Sequence, residues 1–133
     1  MRSAREHGAQ AESYDPYSKE FGDVSVLDSR YDFVTAQDVL EQVEDPHDLV
    51  ADLKSYAVLG GCIAIDTPNA DSIDLHDPRN LGYLSQLHHR HISSATELQR
   101  MASDGGWEVI EFRKSPHVDT RIPSLNSAFA DYF

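Results

Sequence analysis

Residues 31–69 read YDFVTAQDVLEQVEDPHDLVADLKSYAVLGGCIAIDTPN, and the periods inside this stretch decide the fold. Tyr31-Asp32-Phe33-Val34-Thr35-Ala36 is rich in β-branched and aromatic residues, the composition of a strand. Asp45-Pro46-His47-Asp48 then opens a helix, because Asp45 can accept a hydrogen bond from a free backbone N–H and Pro46 suits the first helical position. Leu49, Val50, Leu53, Tyr56 and Ala57 fall on one helical face and Asp52, Lys54 and Ser55 on the other, so the helix packs on something. Gly60-Gly61 reads as its end, and Cys62-Ile63-Ala64-Ile65 as a continuous apolar strand covered on both faces. Thr67-Pro68-Asn69 closes that strand. A strand, a helix and a second strand of these lengths imply parallel pairing through a crossover, hence a doubly wound α/β sheet. Such sheets bind ligands beyond the carboxyl ends of their strands.

Upstream, residues 9–14 precede the turn signal Asp15-Pro16 and read as a short strand. Val24-Ser25-Val26-Leu27 reads as another, separated from Tyr31 by the turn Asp28-Ser29-Arg30. Downstream, residues 70–92 are long, polar and aperiodic, with His76, His88, His89 and His91, which suggests a lid or binding loop. Ser94-Ala95-Thr96-Glu97 fits a capping box, with Leu98, Met101 and Ala102 as an apolar face and Gly105-Gly106 as the stop. Trp107-Glu108-Val109-Ile110-Glu111-Phe112 roughly alternates apolar and acidic residues and reads as a strand. The ligand-facing candidates on this reading are Asp15, Asp28, the segment Ala36-Gln37-Asp38, and Thr67-Pro68-Asn69.

At 133 residues, 40% hydrophobic and 26% charged, the chain fits one domain with a single core. No run of about 18 apolar residues could span a bilayer, and the polar opening does not resemble a secretory signal, which places the chain in the cytoplasm. Cys62 is the single cysteine, so no internal disulfide is available, and its apolar neighbours suit a buried thiol. The formal charge of −12, from 23 acidic and 11 basic residues, repels a phosphate backbone and argues against nucleic acid as substrate. The acidity is spread along the chain, as expected of a solvated surface. A small-molecule substrate is the expected partner, and a homo-oligomer is left open.

The segment from Tyr31 through Leu40-Glu41-Gln42 to Asp45-Pro46 resembles the fourth strand and following loop of class I S-adenosylmethionine-dependent methyltransferases. Leu53, then Gly60-Gly61-Cys62-Ile63-Ala64-Ile65-Asp66-Thr67-Pro68-Asn69, is similar to that family's next helix, double glycine and fifth strand. His91-Ile92-Ser93, Leu98 and Gly105-Gly106-Trp107 resemble its later helix and sixth strand, and Arg5 to Tyr17 the end of its first helix and its second strand. The likeness covers residues 5–115, and the order and spacing of the motifs carry it. It implies a partial doubly wound, Rossmann-like α/β sheet, mostly parallel and lacking its first strand. One domain over residues 1–133 is then expected, truncated at both ends. No Gly-x-Gly loop precedes Arg5, and residues 124–133 lack the family's final strand. Two smaller departures are Gln42 where the family has His after the Leu-Glu pair, and Leu59 where Pro commonly precedes the double glycine.

The resemblance implies S-adenosylmethionine as cofactor and methyl transfer as the activity. Asp15 matches the acidic residue that binds the cofactor's ribose, and a carboxylate can accept two hydrogen bonds from a vicinal diol; the alternative is an Asp that caps the turn before Pro16. Asp28 matches a residue near the adenine amine or is a simple turn residue. Ala36, Gln37 and Asp38 lie where the family approaches the cofactor, while Glu41 is assigned only local hydrogen bonding. Among the imidazoles, His91 is the candidate base, with His88, His89 and Asn69 toward the acceptor; exposed or packing histidines are the alternative. His88-His89-x-His91 lacks the spacing of a metal-binding helix face, so no metal is expected. Two rival classes stay open: a noncatalytic methyltransferase-like interaction module, and an unrelated nucleotide-binding α/β domain.

Overall fold

The computed structural model describes residues 5–77 and 87–113. The chain divides into two compact units, Arg30–Phe112 and one formed by Met1–Ser29 with Arg113–Phe133. Within Arg30–Phe112, strand β1 spans Tyr31–Gln37, helix α1 Pro46–Tyr56, strand β2 Ala57–Asp66 and helix α2 Ala95–Asp104, with a short 3-10 turn at Ala70–Ser72. β1 and β2 pair in parallel with α1 as the crossover. This is the strand–helix–strand arrangement that the sequence implies, and it is a small parallel sheet, not a full doubly wound one. α1 lies against both strands and touches α2.

The helix ends follow from local hydrogen bonds. The Asp45 carboxylate accepts from the backbone N–H of His47 at 2.8 Å and of Asp48 at 3.4 Å, and Pro46 occupies the first turn, where its missing N–H costs nothing. Ser94 Oγ accepts from the Glu97 N–H at 3.2 Å. The reciprocal half of the capping box is replaced by an ion pair, since the Glu97 carboxylate takes Arg100 at 2.7 Å. At the far end of α2, the Gly106 N–H bonds the Ser103 carbonyl and the Trp107 N–H the Ala102 carbonyl, both at 2.9 Å, with Gly106 at φ 73°. This is a Schellman cap, which needs a residue free to take positive φ. Lys54 Nζ completes it by donating to the Gly105 carbonyl at 2.7 Å and lying 5.7 Å from the Trp107 ring centre.

The double glycine does something other than end α1. The helix stops at Tyr56, and β2 already begins at Ala57. Tyr31 pairs with Ala57 but Phe33 pairs with Cys62, so β2 carries extra residues in an irregularity centred on Gly60-Gly61. Gly60 has φ 82°, and a Cβ on Gly61 would sit 3.1 Å from the Asp32 carbonyl and 3.0 Å from that of Val58. Glycine suits both positions: Gly60 takes a positive φ that side chains rarely adopt, and a side chain at Gly61 would crowd backbone carbonyls that would have to give way. The bulge throws Leu59 into solvent at 105% relative exposure, and Cys62 is exposed, not buried as its apolar neighbours suggest.

Three expected strands are absent. Residues 9–14 are irregular. Val24–Asp28 is a 3-10 turn, capped by Asp23, whose Oδ1 accepts from the Ser25 N–H at 2.9 Å. Residues 107–112 are not a strand, and Val109, Ile110 and Phe112 are exposed. In each case β-branched or alternating composition supplies the propensity, but a strand also needs a neighbour to take its backbone groups. Residues 78–86 of the expected lid, and residues 124–133, lie outside the described residues.

The core among the described residues is small: Leu40, Val50 and Met101 are buried together, with Leu49, Leu98 and Trp107 packed against them. Ala36 and Leu53 are buried as well. No helix among the described residues is long and apolar enough to cross a membrane.

Candidate functional site

The two strands end side by side, with Gln37 paired to Asp66. Just beyond them Asp38 takes φ 50°, unusual for any residue but glycine, and its N–H donates to the Asp66 carbonyl at 3.0 Å. Gln42 Nε2 donates back to the Asp38 carbonyl at 2.6 Å. The chain after β1 is thereby folded into a tight turn at the carboxyl rim of the sheet. Ala36 is buried below this turn, while Gln37 is exposed.

Glu41 sits at the centre of the rim and is only 1% exposed. A buried carboxylate must be compensated by hydrogen bonds or opposite charge. Its Oε2 accepts from Thr67 Oγ1 at 3.0 Å, and its Oε1 lies 3.5 Å from Gln42 Nε2 and 3.8 Å from His89 Nε2. The His89 side chain is itself only 7% exposed. The backbone carbonyl of Glu41 accepts from the N–H of Arg90 at 2.7 Å and of His91 at 3.2 Å. Glu41 therefore ties together the segment after β1, the segment after β2 and the segment that leads into α2.

His91 is fixed as well, its Nε2 lying 3.0 Å from the Glu44 carbonyl. A carbonyl only accepts, so Nε2 is the donor in this contact, and in the neutral ring Nδ1 is then the nitrogen with the lone pair. Ser93 accepts from the Ala70 N–H at 3.0 Å, and Asp71 from the Ala95 N–H at 3.0 Å. Asn69 Oδ1 caps the 3-10 turn by accepting from the Asp71 N–H at 3.0 Å, while Asn69 Nδ2 is buried with no hydrogen-bond partner. An open groove beside the rim is lined by Glu44, Pro46, His91, Ser93, Glu97 and Met101. On its wall, the Arg100 guanidinium hydrogen-bonded to Glu97 holds that carboxyl below the usual glutamate range, and Glu97 in turn raises Arg100.

Of the residues the sequence nominates, Ala36, Gln37, Asp38, Asn69, His89 and His91 thus lie in one unit: Ala36 and Gln37 at the end of β1, Asp38 and Asn69 on the segments that leave the two strands, and His89 and His91 on the segment that leads into α2. His88 is on the same segment as His89 and exposed. Asp15 and Asp28 lie in the other unit. There Asp15 is exposed and Oδ1 accepts from the Tyr17 N–H at 2.9 Å, so it does cap the turn at Pro16. Asp28 is exposed at the end of its 3-10 turn. Among the described residues, no three His, Cys, Asp or Glu side chains converge as a metal site.

The residue that sequence reasoning undervalues is Glu41. Nothing in its local spacing separates it from the exposed Glu44 three positions on, because the groups that bury it come from Thr67 and from the segment around His89.

No curated protein and no solved structure matches the chain. A family model described as a methyltransferase domain matches residues 1–112, which takes in both strands, both helices and every candidate residue named above. The chain therefore belongs to the methyltransferase-domain family.

Proposed function

We propose that this domain takes part in S-adenosylmethionine-dependent methyl transfer to a small-molecule acceptor. One observation carries the reading: in a chain of this family, two parallel strands end together at a rim held by the Asp38–Asp66 and Thr67–Glu41 hydrogen bonds. That is the edge at which parallel α/β sheets take their ligands. The residues present suit the adenosyl side of such a ligand. The turn at Asp38 stands at the strand ends on that side, while Asn69, whose amide Nδ2 is buried without a hydrogen-bond partner, belongs to the acceptor side. Asp15 has a second carboxylate oxygen beside the one that caps its turn, suited to a ribose hydroxyl. In this reading Ala36, Gln37 and Asp38, at the end of β1, approach the cofactor, and Asp28, in the other unit, is assigned to its adenine by the resemblance alone.

When bound, the cofactor supplies an activated methyl group on a sulfonium, so the protein's task is mainly to position the acceptor. His91 is the base in this reading. The Glu44 carbonyl sets its tautomer, leaving Nδ1 to take a proton from an acceptor hydroxyl or amine. His88, His89 and Asn69 face the acceptor. The setting is cytoplasmic, and the strong negative charge favours a small molecule over nucleic acid.

Isothermal titration of the 133-residue chain with S-adenosylhomocysteine tests the cofactor assignment. Asp15→Ala weakens binding by about 1–3 kcal/mol, the cost of a lost hydrogen bond to a charged group. Asp15→Asn retains an acceptor for the Tyr17 N–H and separates a turn defect from a lost ligand contact. Unchanged affinity in both variants removes Asp15 from the site. A second reading, a noncatalytic interaction module, is favoured by the apolar side chains that the sheet leaves in solvent, Phe33 and Leu59. Absence of any binding heat in the titration selects it.

A further inference from the structure

Glu41 is the most deeply buried ionisable side chain among the described residues, and the methyl-transfer reading gives it no part. Its position is unusual in another respect. The carboxylate and the backbone carbonyl of this one residue contact two different segments, and both contacts bear on the same pair of imidazoles. Through the carboxylate, Glu41 is anchored to Thr67 at 3.0 Å and stands 3.8 Å from His89 Nε2. Through the carbonyl, it receives the N–H of Arg90 and of His91 at 2.7 and 3.2 Å, and so fixes the backbone on which both rings are carried.

A purely structural carboxylate gains little from this placement. An apolar side chain of similar size would fill the space without the cost of desolvating a charge, and buried ionic groups are often no more stabilising than such replacements. The adjacent Leu40 shows that the same turn accepts a fully buried apolar residue. What an apolar residue could not do is hold Thr67 Oγ1 and face an imidazole at once. A carboxylate or carbonyl behind an imidazole can set its orientation; the Glu44 carbonyl does so for His91 by a hydrogen bond at 3.0 Å, and the Glu41 carboxylate approaches the His89 ring to 3.8 Å, within ion-pair range.

We infer that Glu41 is a positioning residue of the acceptor side of the site, holding the His89 ring through its carboxylate and the His91 backbone through its carbonyl against the carboxyl ends of β1 and β2. The inference rests on the methyl-transfer reading for the use to which the rings are put, but the orienting role itself is a property of this chain and is read without any acceptor. Gln42, whose amide lies 3.5 Å from Glu41 Oε1 and 2.6 Å from the Asp38 carbonyl, braces the carboxylate from the β1 side.

The test follows the imidazole ring signals of His88, His89 and His91 by NMR in the full chain, in the wild type and in two near-isosteric variants. Glu41→Gln keeps an oxygen for Thr67 but removes the charge that faces His89. Thr67→Val removes the hydroxyl that anchors the carboxylate and leaves Glu41 intact. The expected pattern is selective. In Glu41→Gln the His89 ring signal moves at least halfway toward that of the exposed His88, while His91, held by backbone carbonyls, keeps its position. In Thr67→Val the His89 signal moves in the same direction by a smaller amount. A His89 signal unmoved in both variants overturns the inference. A general collapse of dispersion across the whole spectrum in Glu41→Gln also overturns it, because that marks a core residue whose loss unfolds the unit. Titration of the wild-type chain with S-adenosylhomocysteine is recorded alongside. No binding there removes the methyl-transfer reading and leaves the orientation of His89 by Glu41 to stand or fall on the ring signals.

Discussion

Asp38 is held at φ 50° by its N–H bond to Asp66 and by the Gln42 amide on its carbonyl. Asp tolerates this region better than most residues, and β-branched side chains tolerate it worst. Asp38→Val should cost about 1–3 kcal/mol in urea unfolding, and Asp38→Gly about 0.5 kcal/mol or less in either direction, because relief of strain offsets the added freedom of the unfolded chain. A Val variant as stable as wild type would mean that the turn is not held in this conformation. At the same scale, two exposed carboxylates have lowered pKa values: Asp23, through hydrogen bonds from the Ser25 side chain and backbone, and Glu97, through Arg100. A group whose folded value is depressed stabilises above its unfolded value and loses that contribution as pH falls through the folded one. The 3-10 turn and the first turn of α2 should therefore stay intact at pH 5 and loosen only below about pH 4, near and beneath the ordinary Asp and Glu values. Amide shifts of Ser25 and Glu97 followed through an acid titration check this, and transitions centred above about pH 5 would contradict it. Glu41 shows why some single residues resist a reading from sequence. Its burial depends on Thr67, 26 positions away, so no local pattern announces it.

Among the elements, the end of α2 carries a sharp expectation. Gly106→Ala places a Cβ at φ 73° and only 2.8 Å from Lys54 Nζ, so it disturbs both the Schellman cap and the lysine that completes it. A loss of about 1 kcal/mol follows, or a fall in melting temperature of roughly 4–8 °C if the Arg30–Phe112 unit melts by itself. A smaller change would show that the cap contributes little to the fold. Such ends were legible in the sequence because their chemistry is local. The Asp45 side chain reaches His47 and Asp48, the Ser94 side chain Glu97, and the N–H groups of Gly105 and Gly106 bond carbonyls of the last turn of α2. Gly60-Gly61 was legible only as a place where the backbone must do something special. A helix stop and a strand bulge both ask for glycine, and the choice between them is made by the approach of Asp32 from β1, which no spacing reveals. Val24–Asp28 and residues 107–112 differ again, since their composition suits a strand and the missing ingredient is a partner.

For the molecule as a whole, the small cluster of Leu40, Val50 and Met101 joins the turn after β1 to both helices. Leu40→Ala should cost about 2–4 kcal/mol, a large fraction of the roughly 5–15 kcal/mol by which domains of ordinary stability exceed their unfolded state. Its unfolding midpoint in urea should fall accordingly, and the change should release the Glu41 neighbourhood with it. The order of strand, helix and strand was legible at this scale because hydrophobic period and helix length together demand a parallel crossover. The gathering of Asp38, Asn69, His89 and His91 was legible only as far as the rule about strand ends reaches. The bulge in β2 adds a spatial constraint of its own. Because it lies upstream of Phe33–Cys62, it sets how far the second strand travels before Asp66 and Thr67 emerge opposite Asp38 and Glu41. Each residue of strand advances the chain by about 3.3 Å, more than the 3.0 Å length of the Thr67–Glu41 hydrogen bond. The double glycine thus works as a length gauge, and shortening it by one residue would slide one side of the rim past the other while leaving both strands and both helices intact.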